Sequence, residues 1–424
     1  MSEKTKEKFV VRGQIPLKGE VKISGAKNAA LPIIAASLLI KGPFQLSNVP
    51  DLLDIKLMAN ILKELGVEVK KNKETLTLNA SLLQGNKVQK QLAGMLRASI
   101  LTLGPLLIRK GKAIVAFPGG CNIGLRPIDL HLKGLSQMGA RFNLKDGYIE
   151  AIAEHCLKGT RIYLDFPSVG ATENLMLAAS LAKGETIIEN ASCTPEIVDL
   201  SNFLNKAGAK IEGAGTRTIR IIGCRELCPV SYSIISDRIE AGTFMIATAI
   251  TGGELLLKNI CPDHLESPIN ILRNMGVEIC INRRSLKVKG GLPLKKITVK
   301  TMPYPGFPTD LQPQLTSLAC LAEGTSVITE TVFENRFSHL SHLVKMGAEL
   351  TRRGKNIIIN GVPFLRSARV TAPDIRGGAA LVLAGLAAKG ESEILNIFHI
   401  DRGHQKLEEK LAGLGAKIKR VKDK

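Results

Sequence analysis

The stretch Glu173–Lys183, ENLMLAASLAK, begins one complete unit of the predicted fold. Its small and leucine-rich composition is typical of a buried helix. It is followed by Gly184, by the β-branched segment Thr186–Asn190 and, after a second helical pattern, by the motif Ala-Gly-Ala-Lys-Ile around Gly208. Val327–Thr331 has the same strand character in another part of the chain. Helix, glycine turn, strand, helix, glycine and strand therefore define one α/β unit.

This order of elements occurs six times in the 424 residues, with about 70 residues between equivalent glycines. The glycines that close the units are Gly66, Gly139, Gly208, Gly276, Gly347 and Gly415, and those of the earlier turns are Gly42, Gly111, Gly184, Gly253, Gly324 and Gly390. A chain of this length exceeds one ordinary core, so six units predict two domains of three. Because the first helices are apolar on most sides, we expect helices inside and sheets outside.

Composition indicates a soluble, globular protein, with 45% apolar and 23% charged residues. The longest apolar run, Ala29–Ile40, contains Pro32 and is far shorter than the roughly 20 residues of a membrane span. We therefore expect a cytoplasmic protein without a membrane role. Eight cysteines are scattered, and the closest pair, Cys224 and Cys228, lacks the partners of a zinc site. Reduced thiols and no metal are predicted.

The net charge of +20 indicates either nucleic acid or small anionic substrates as ligands. Aromatic residues make up only 4% and tryptophan is absent, so base-stacking side chains are scarce. Lysines are spread along the whole sequence, and the one dense run, Lys417–Lys424, is predicted to be a solvated terminus. This pattern favours small anionic substrates.

Charged residues recur where the helices of each unit are predicted to begin. Fourteen positions before the turn glycine lie Asn28, Arg97, Gly170, Ile239, Asp310 and Arg376, preceded in two units by Lys27 and Arg238; twelve positions after it lie Asp54, Glu196, Leu265, Arg336 and Arg402, with Arg126 three residues further on in the longer second unit. Free N–H groups at helix N-termini, together with guanidinium groups, bind phosphate or carboxylate.

Cations are unfavourable at a helix N-terminus, so this set predicts an anionic ligand for Lys27, Arg126, Arg336, Arg376 and Arg402. The alternative is that the charges cap helices or form salt bridges between units. That alternative stays open, above all for Asp54, Glu196 and Arg238.

One loop carries a candidate reactive group. In Pro118–Asp129, PGGCNIGLRPID, Cys121 lies on a glycine-rich stretch five residues before Arg126, which opens a predicted helix. A nearby cation and a helix N-terminus both favour the thiolate form, which is the nucleophile. The alternative is a flexible turn with an incidental thiol.

Eight motifs together resemble those of the bacterial UDP-N-acetylglucosamine 1-carboxyvinyltransferases, which are enolpyruvyl transferases. They are Ser24–Pro32 (SGAKNAALP), the Cys121 loop, Pro167–Thr172 (PSVGAT), Pro195–Asp199 (PEIVD), Asp237–Glu240 (DRIE), Phe307–Asp310 (FPTD), Glu330–Arg336 (ETVFENR) and His399–Arg402 (HIDR). The resemblance runs nearly end to end. It implies two inside-out α/β barrel domains, each of three units around a pseudo-threefold axis, with the active site in the cleft between them. The first domain would be residues 27–235, and the second residues 1–26 and 236–424.

The resemblance also implies an activity. The family transfers the enolpyruvyl group of phosphoenolpyruvate to the 3-hydroxyl of UDP-N-acetylglucosamine, through a tetrahedral ketal that expels phosphate. This is the first committed step of peptidoglycan synthesis, and so it serves the cell wall, cell shape and cell division. The family uses no metal or organic cofactor, and a monomer acting on these two small molecules is expected, with no nucleic-acid partner.

The resemblance assigns a role to each candidate residue. Lys27, Arg126 and Arg402 would hold the phosphate, Arg336 and Arg376 would lie near the carboxylate, and Asp310 would be the general base for the sugar hydroxyl. Cys121 would protonate C3 and form an adduct with phosphoenolpyruvate, and it is the residue that fosfomycin alkylates in this family. The implied catalytic residues are therefore Cys121, Asp310, Lys27 and Arg402.

The uridine diphosphate end would lie along two segments and three further residues. They are Arg126, Pro127, Ile128, Asp129 and Leu130; Ser168, Val169 and Gly170; and Val332, Arg97 and Asn28. Phe166 stands where some relatives have a lysine near the diphosphate, and the family pattern places Glu196 and Asp237 in contacts between domains and in closure.

Three alternatives to this function differ in class or in acceptor. The sibling enzymes that use shikimate phosphate start with Gly-Ser-Lys-Ser and lack the cysteine, unlike Lys27-Asn28 and Gly120–Gly124 here. A nucleic-acid-binding repeat protein would leave Asp310 and Cys121 without a role. A catalytically silent paralogue would be expected to lack part of the motif set, which is complete.

Replacing Cys121 by aspartate tests the role of the thiol. Aspartate supplies an acid but no sulfur nucleophile, so Cys121→Asp is expected to keep transferase activity and to resist fosfomycin. The measurement is phosphate release by wild type and variant after incubation with the inhibitor. Inactivation of the variant at the wild-type rate would show that another residue is alkylated.

Overall fold

The computed structural model describes residues 7–119, 124, 127–291 and 293–423, and these form an α/β protein. The strands are β1 Glu7–Arg12, β2 Lys18–Lys22, β3 Pro43–Ser47, β4 Glu68–Asn72, β5 Thr75–Asn79, β6 Lys87–Val88, β7 Lys112–Ala116, β8 Arg141–Lys145, β9 Tyr148–Ile152, β10 Arg161–Tyr163, β11 Glu185–Glu189, β12 Lys210–Glu212, β13 Thr218–Ile222, β14 Ser231–Ser233, β15 Glu254–Lys258, β16 Glu278–Asn282, β17 Ser285–Lys289, β18 Leu294–Lys295, β19 Thr298–Lys300, β20 Ala322–Glu323, β21 Thr325–Thr329, β22 Glu349–Arg353, β23 Asn356–Asn360, β24 Arg369–Thr371, β25 Glu391–Leu395 and β26 Lys417–Lys422.

The α-helices alternate with these strands. They are α1 Lys27–Ala36, α2 Leu53–Glu64, α3 Lys90–Ala93, α4 Leu103–Lys110, α5 Asp129–Gln137, α6 Val169–Ala179, α7 Pro195–Lys206, α8 Arg238–Thr251, α9 Glu266–Asn274, α10 Gln312–Ala319, α11 Leu340–Lys345, α12 Ile375–Ala387, α13 Phe398–Asp401 and α14 Leu407–Gly413, and short 3-10 helices span Ser37–Leu39, Arg97–Thr102, Pro262–Leu265 and Thr309–Leu311.

The chain divides into two compact units. The central unit contains the described residues from 25 to 235 other than residue 124, and the terminal unit contains residues 7–24, 124 and 236–423. Each unit has its own hydrophobic core, because the buried apolar side chains form one cluster in each. The central unit is thus inserted, in sequence, after the first two strands of the terminal unit.

Six four-stranded sheets of one plan account for the repeat. The strand orders are β14-β3-β5-β4, β6-β7-β9-β8 and β10-β11-β13-β12 in the central unit, and β16-β17-β15-β2, β19-β21-β23-β22 and β24-β25-β1-β26 in the terminal unit. In each sheet one edge strand pairs in parallel with its neighbour, and the remaining pairs are antiparallel. The prediction of six equivalent α/β units is therefore confirmed.

Three sheets contain a strand from a distant part of the sequence. The parallel partner of β3 is β14, nearly two hundred residues later, and the parallel partner of β15 is β2. Strand β1 lies between β25 and β26 in the last sheet. The N-terminal strands therefore complete sheets of the terminal unit, and β14 returns to the first sheet of the central unit.

The basic run at residues 417–424 is not a solvated terminus, and that prediction is wrong. Lys417–Lys422 is strand β26, which pairs along its length with β1. The reason is alternation: Ile418 is buried in the core while the lysines on either side of it are exposed. A run that looks purely basic by count has the period-2 pattern of a half-buried strand.

The long apolar helices α6, α8 and α12 are buried within their units, as their composition predicts. In the terminal unit α8, α10 and α12 pack against one another, and in the central unit α6 packs against α1 and α4. From Ile375 to Leu386 every residue of α12 is buried, whereas the strands bury alternate residues. Small residues allow neighbouring helical segments to approach closely. At Gly242 of α8, for example, a Cβ would lie 2.4 Å from a methyl group of Leu311.

Glycines end the helices in the left-handed region, where other residues are strained. All six closing glycines have φ between +86° and +107°. Five of the predicted turn glycines also have positive φ, but in the fourth unit Gly252 takes this conformation instead of Gly253. At Gly253 the need is space, since a Cβ would lie 2.2 Å from the carbonyl oxygen of Leu17.

The predicted element boundaries shift by a few residues. Helix α6 begins at Val169, four residues before the predicted Glu173, because the Ser168 hydroxyl accepts a hydrogen bond from the amide of Ala171 and caps the helix. Strands β11 and β21 begin one and two residues before the predicted segments.

Candidate active site

In the terminal unit a carboxylate lies between two buried guanidinium groups. Asp310 Oδ1 accepts a hydrogen bond from Arg336 Nη2 at 2.8 Å, and Oδ2 accepts one from Arg376 Nη2 at 2.9 Å. The arginine side chains are 3% and 6% exposed, and that of Asp310 is 25% exposed. Asp310 and Arg336 belong to the fifth repeat and Arg376 belongs to the sixth. The Asp310–Arg376 pair is therefore a salt bridge between repeats, which the sequence left as an alternative, whereas the Asp310–Arg336 pair lies within one repeat.

The two arginines are held with donors to spare. Among the described residues, Arg336 Nε and Arg376 Nη1 are buried and have no hydrogen-bond partner. Burial opposes the charge of Arg376, but Asp310 and the nearby Asp237 outweigh it and raise the pKa of this guanidinium. Because a buried cation with unused donors is costly, the geometry is suited to accept a further anion.

Aspartate N-caps fix the first turn of α12, which carries Arg376, and the first turn of α8. Asp374 Oδ1 accepts hydrogen bonds from the amides of Arg376 and Gly377, at 2.9 and 3.1 Å, and so fixes the first turn of α12. Asp237 does the same for α8 through the amides of Ile239 and Glu240. Within the terminal unit Asp237 is therefore a capping residue.

Arg402 is buried, but it is not at a helix N-terminus as predicted. It follows the one-turn helix α13, and the next helix, α14, begins at Leu407. A cation is favourable at a helix C-terminus, so the dipole argument for an anionic ligand does not apply to this residue. Its neighbour Asp401 accepts hydrogen bonds from Arg420 of β26, at 2.7 and 3.0 Å.

In the central unit, Lys27 and Asn28 begin α1, as predicted. Lys27 Nζ lies 3.1 Å from Asp54 Oδ2 of α2, and both side chains are buried. Here too the lysine at a helix start is compensated by a carboxylate. A phosphate bound by Lys27 would therefore share the ammonium group with Asp54.

Arg97 connects the two ends of the segment that carries Cys121. It begins a 3-10 helix and donates to the carbonyl oxygens of Pro118 and Pro127, at 3.4 Å each. Cys121 and Arg126 themselves lie outside the described residues. Of the predicted nucleotide contacts nearby, Pro127 and Ile128 precede α5, and Asp129 and Leu130 form its first turn.

Ser168, Val169 and Gly170 form the N-terminus of α6, next to a buried histidine. The ring of His131 lies against Gly170, where a Cβ would be 3.3 Å from Cε1. His131 Nδ1 and Asn174 Nδ2 are 3.0 Å apart, and Asn174 Nδ2 also donates to the carbonyl oxygen of Ile100, so the amide fixes the ring. Phe166 precedes this turn and its side chain is 45% exposed.

A second buried carboxylate lies at the end of the Pro195–Asp199 motif in α7. Asp199 Oδ1 accepts a hydrogen bond from the Tyr232 hydroxyl at 2.7 Å, and Oδ2 accepts one from the amide of Ile235 at 3.4 Å. Burial, which outweighs these hydrogen bonds and is reinforced by Glu196, raises the pKa of Asp199 to about 6. Asp199 thus anchors the stretch that leaves the central unit at residue 235.

Sequence reasoning missed the residues that support the site. No role was assigned to Asp374 or His131 from the sequence, and Glu330 was included only as the first residue of the Glu330–Arg336 motif. Glu330 is 2% exposed and accepts hydrogen bonds from the hydroxyl groups of Thr301 and Thr309. The role of Asp374 could have been predicted, because it lies two residues before Arg376, at the predicted start of a helix, and aspartate is a typical N-cap residue.

The described part of the chain contains no group of three or more histidine, cysteine, aspartate or glutamate side chains arranged to hold a metal ion. Within the same residues, no helix combines the length and the apolar character needed to cross a membrane.

Comparison with known proteins identifies the family. Residues 11–411 match the family described as EPSP synthase (3-phosphoshikimate 1-carboxyvinyltransferase). UDP-N-acetylglucosamine 1-carboxyvinyltransferase 2 of Carboxydothermus hydrogenoformans is 53% identical over 419 residues, covering 98% of this chain and 100% of that protein. The corresponding enzyme 1 of Caldanaerobacter subterraneus subsp. tengcongensis is 52% identical over 415 residues, with the same coverage.

A solved structure agrees with these sequence relatives. The enolpyruvyl transferase NikO from Streptomyces tendae superposes with a TM-score of 0.90 at 26% identity, covering 99% of this chain and 100% of that chain. The α/β fold of this chain is thus shared with a solved enolpyruvyl transferase. The chain belongs to the EPSP synthase family, and its resemblance to the UDP-N-acetylglucosamine 1-carboxyvinyltransferases is confirmed.

The raised pKa of Asp199 predicts a pH-dependent stability. Because the folded-state pKa of about 6 exceeds the value of 3.8 for the unfolded chain, the stabilising contribution is full below about pH 4 and is lost as the pH rises through 6. Asp199→Asn cannot ionise and should avoid this loss. Relative to wild type, its free energy of unfolding should rise by about 3 kcal/mol between about pH 4 and pH 7, since about two pKa units correspond to that energy.

Urea denaturation at several pH values measures this difference. Asp51→Asn is the matched control, because hydrogen bonds from Lys71 and Lys56 lower the pKa of Asp51, so that its contribution is lost as the pH falls instead. Parallel pH profiles for wild type and Asp199→Asn would contradict the prediction.

Proposed function

We propose that this protein transfers the enolpyruvyl group of phosphoenolpyruvate to the 3-hydroxyl of UDP-N-acetylglucosamine and releases phosphate. The observation that carries the proposal is the carboxylate of Asp310 between the buried guanidinium groups of Arg336 and Arg376. Such a cluster combines a proton acceptor with two anion-binding forks, which is what this reaction needs. The names of the relatives at 53% and 52% identity support the acceptor. The product would be committed to peptidoglycan synthesis.

We further propose that each unit is an inside-out α/β barrel with a pseudo-threefold axis, and that the functional domains are residues 27–235 and residues 1–26 with 236–424. The three sheets of one plan around buried helices in each unit support this architecture. The division of the chain after residues 24 and 235 supports the boundaries.

Asp310 is the proposed general base. Each of its carboxylate oxygens accepts one arginine hydrogen bond, and a carboxylate oxygen can accept more than one. The salt bridges are therefore compatible with a hydrogen bond from the sugar hydroxyl. As the hydroxyl proton moves to Asp310, the hydroxyl oxygen bonds to C2 of phosphoenolpyruvate and C3 takes up a proton, for which Cys121 is the proposed donor.

The resulting tetrahedral ketal carries both the phosphate and the new ether bond. Loss of a proton from C3 and departure of phosphate from C2 restore the double bond. Lys27, Arg126 and Arg402 are proposed to stabilise the phosphate, and Arg336 and Arg376 the carboxylate. Their charges offset the negative charge that the donor brings, and that charge would be costly among buried groups.

The nucleotide is proposed to bind at helix starts and adjoining loops. The N-terminus of α6, at Ser168, Val169 and Gly170, offers amide groups that suit a diphosphate. The segment from Arg126 to Leu130, with Asn28, Arg97 and Val332, completes the proposed contacts.

We also propose that the chain acts as a cytoplasmic monomer on these small molecules, without a membrane or a cofactor. We propose no nucleic-acid partner, because the lysines are spread along the whole sequence.

Phosphate release with two acceptors tests the proposed substrate. With phosphoenolpyruvate present, UDP-N-acetylglucosamine should support phosphate release and shikimate 3-phosphate should not. The opposite preference would assign the chain to the sibling activity, and no release with either acceptor would contradict the transferase proposal. Retention on random duplex DNA at moderate salt, with a steep salt dependence, would favour the nucleic-acid alternative instead.

Asp310→Asn tests the general base. Asparagine preserves the size of the side chain and can accept arginine hydrogen bonds only through Oδ1, and it cannot take up the hydroxyl proton. Turnover should fall by about two to four orders of magnitude, while both substrates still bind by calorimetry. Arg238→Lys, a charge-preserving change at a neighbouring helix start, is the control. Loss of substrate binding in Asp310→Asn, without a separate loss of turnover, would contradict the assignment.

A further inference from the structure

Glu330 is a buried carboxylate to which neither the motifs nor the proposed mechanism gives a role. It follows strand β21, and Thr301 follows the adjacent parallel strand β19, so both lie at the carboxyl ends of these strands. The side chain of Glu330 is almost fully inaccessible, at 2% exposure. An ionisable group is rarely kept so deep unless it is fully hydrogen bonded.

Four donors converge on this carboxylate. Oε1 accepts hydrogen bonds from the Thr301 hydroxyl at 2.9 Å and from the amides of Val332 and Phe333 at 2.8 and 3.1 Å. Oε2 accepts one from the Thr309 hydroxyl at 2.9 Å. One side chain therefore ties three separate segments of the terminal unit together.

Two of the three segments carry proposed site residues. Thr309 immediately precedes Asp310 in the 3-10 helix Thr309–Leu311, which leads into α10. Val332 is a proposed contact of the nucleotide sugar, and the loop after it continues to Arg336. The Thr309 hydroxyl and the amide of Val332 thus bond to the two oxygens of the same carboxylate.

We infer that Glu330 is a positioning residue for the transfer reaction. Glu330 sets the orientation of Asp310 through Thr309. It also sets the orientation of the loop from Val332 to Arg336, called the Val332 loop, through the backbone amides of Val332 and Phe333. The inference rests on the proposed function. Asp310 must present a carboxylate oxygen to one hydroxyl of the sugar, and small displacements of a general base cost much of its rate. Buried hydrogen bonds to a charged acceptor are strong enough to hold such an orientation.

The two arms of Glu330 predict different kinetic consequences. Thr309→Val removes the hydroxyl that reaches Oε2 and leaves the amide bonds to Oε1 in place. The value of kcat should fall about tenfold while KM for UDP-N-acetylglucosamine stays within about twofold, because only the base is released from its position. Thr309→Ser restores a hydroxyl and should restore most of kcat.

Glu330→Ala removes both arms. Its kcat should fall at least as far as that of Thr309→Val, and its KM for UDP-N-acetylglucosamine should also rise, since the Val332 loop loses its acceptor. Thr309→Val tests the inference by itself if the alanine variant does not fold. Thr248→Val is the control: this buried threonine of α8 donates to the carbonyl oxygen of Phe244 and does not contact Glu330.

Steady-state phosphate release and thermal midpoints of all variants decide the question. Support requires a fall in kcat for Thr309→Val, rescue by serine and a kcat for Thr248→Val close to that of wild type. An unchanged kcat in Thr309→Val, or equal losses in Thr309→Val and Thr248→Val, overturns the inference while an active wild type leaves the proposed function standing. A wild type that releases no phosphate with UDP-N-acetylglucosamine overturns the proposed function, and the inference with it.

Discussion

The fold depends on the burial of helices that have no polar side. A helix such as α12, buried from Ile375 to Leu386, must be covered all round. Each unit meets this constraint with packed helices at its centre and three sheets that bury alternate residues. Most charged side chains are consequently placed at helix ends, in the loops and on the outer faces of the sheets. In the terminal unit the candidate site residues Asp310 and Arg376 lie at such helix starts.

Buried charge at the candidate site is balanced locally, before any ligand is considered. Asp310 compensates Arg336 and Arg376, and Asp54 compensates Lys27. Such pairs contribute little net stability, because desolvation offsets much of their attraction. Their value lies in orientation, because each cation is held at a fixed place beside a carboxylate. At Arg376 burial opposes the charge, but the charge of Asp310 helps to outweigh it and raises the pKa of the guanidinium.

The repeat, the α/β class and most helix starts could be predicted from the sequence, because they depend on local periodicity and on glycines in the left-handed region. The pairing of Asp310 with Arg336 and Arg376 could not, since these residues are 26 and 66 positions apart and their contacts are set by tertiary packing, within the fifth repeat for Arg336 and between the fifth and sixth repeats for Arg376. The same holds for β14 and β2, whose partners are chosen by topology. Arg402 was misplaced because α13 is a single turn, which composition does not reveal. The strand at Lys417–Lys422 was not predicted because its many lysines conceal the alternation of buried and exposed residues.

The position of β1 in the last sheet sets the order in which the chain can fold as it is synthesised. This strand is synthesised before the central unit, whereas both of its neighbours, β25 and β26, are synthesised after it. The central unit draws all its strands from residues 43–233 and can close while translation continues. Strand β1 must meanwhile wait with unpaired edges until nearly the whole chain has been made, whereas β2 waits only until β15 has been made. The nascent chain therefore exposes an unpaired strand, to which chaperones can bind and which can mispair with another nascent chain.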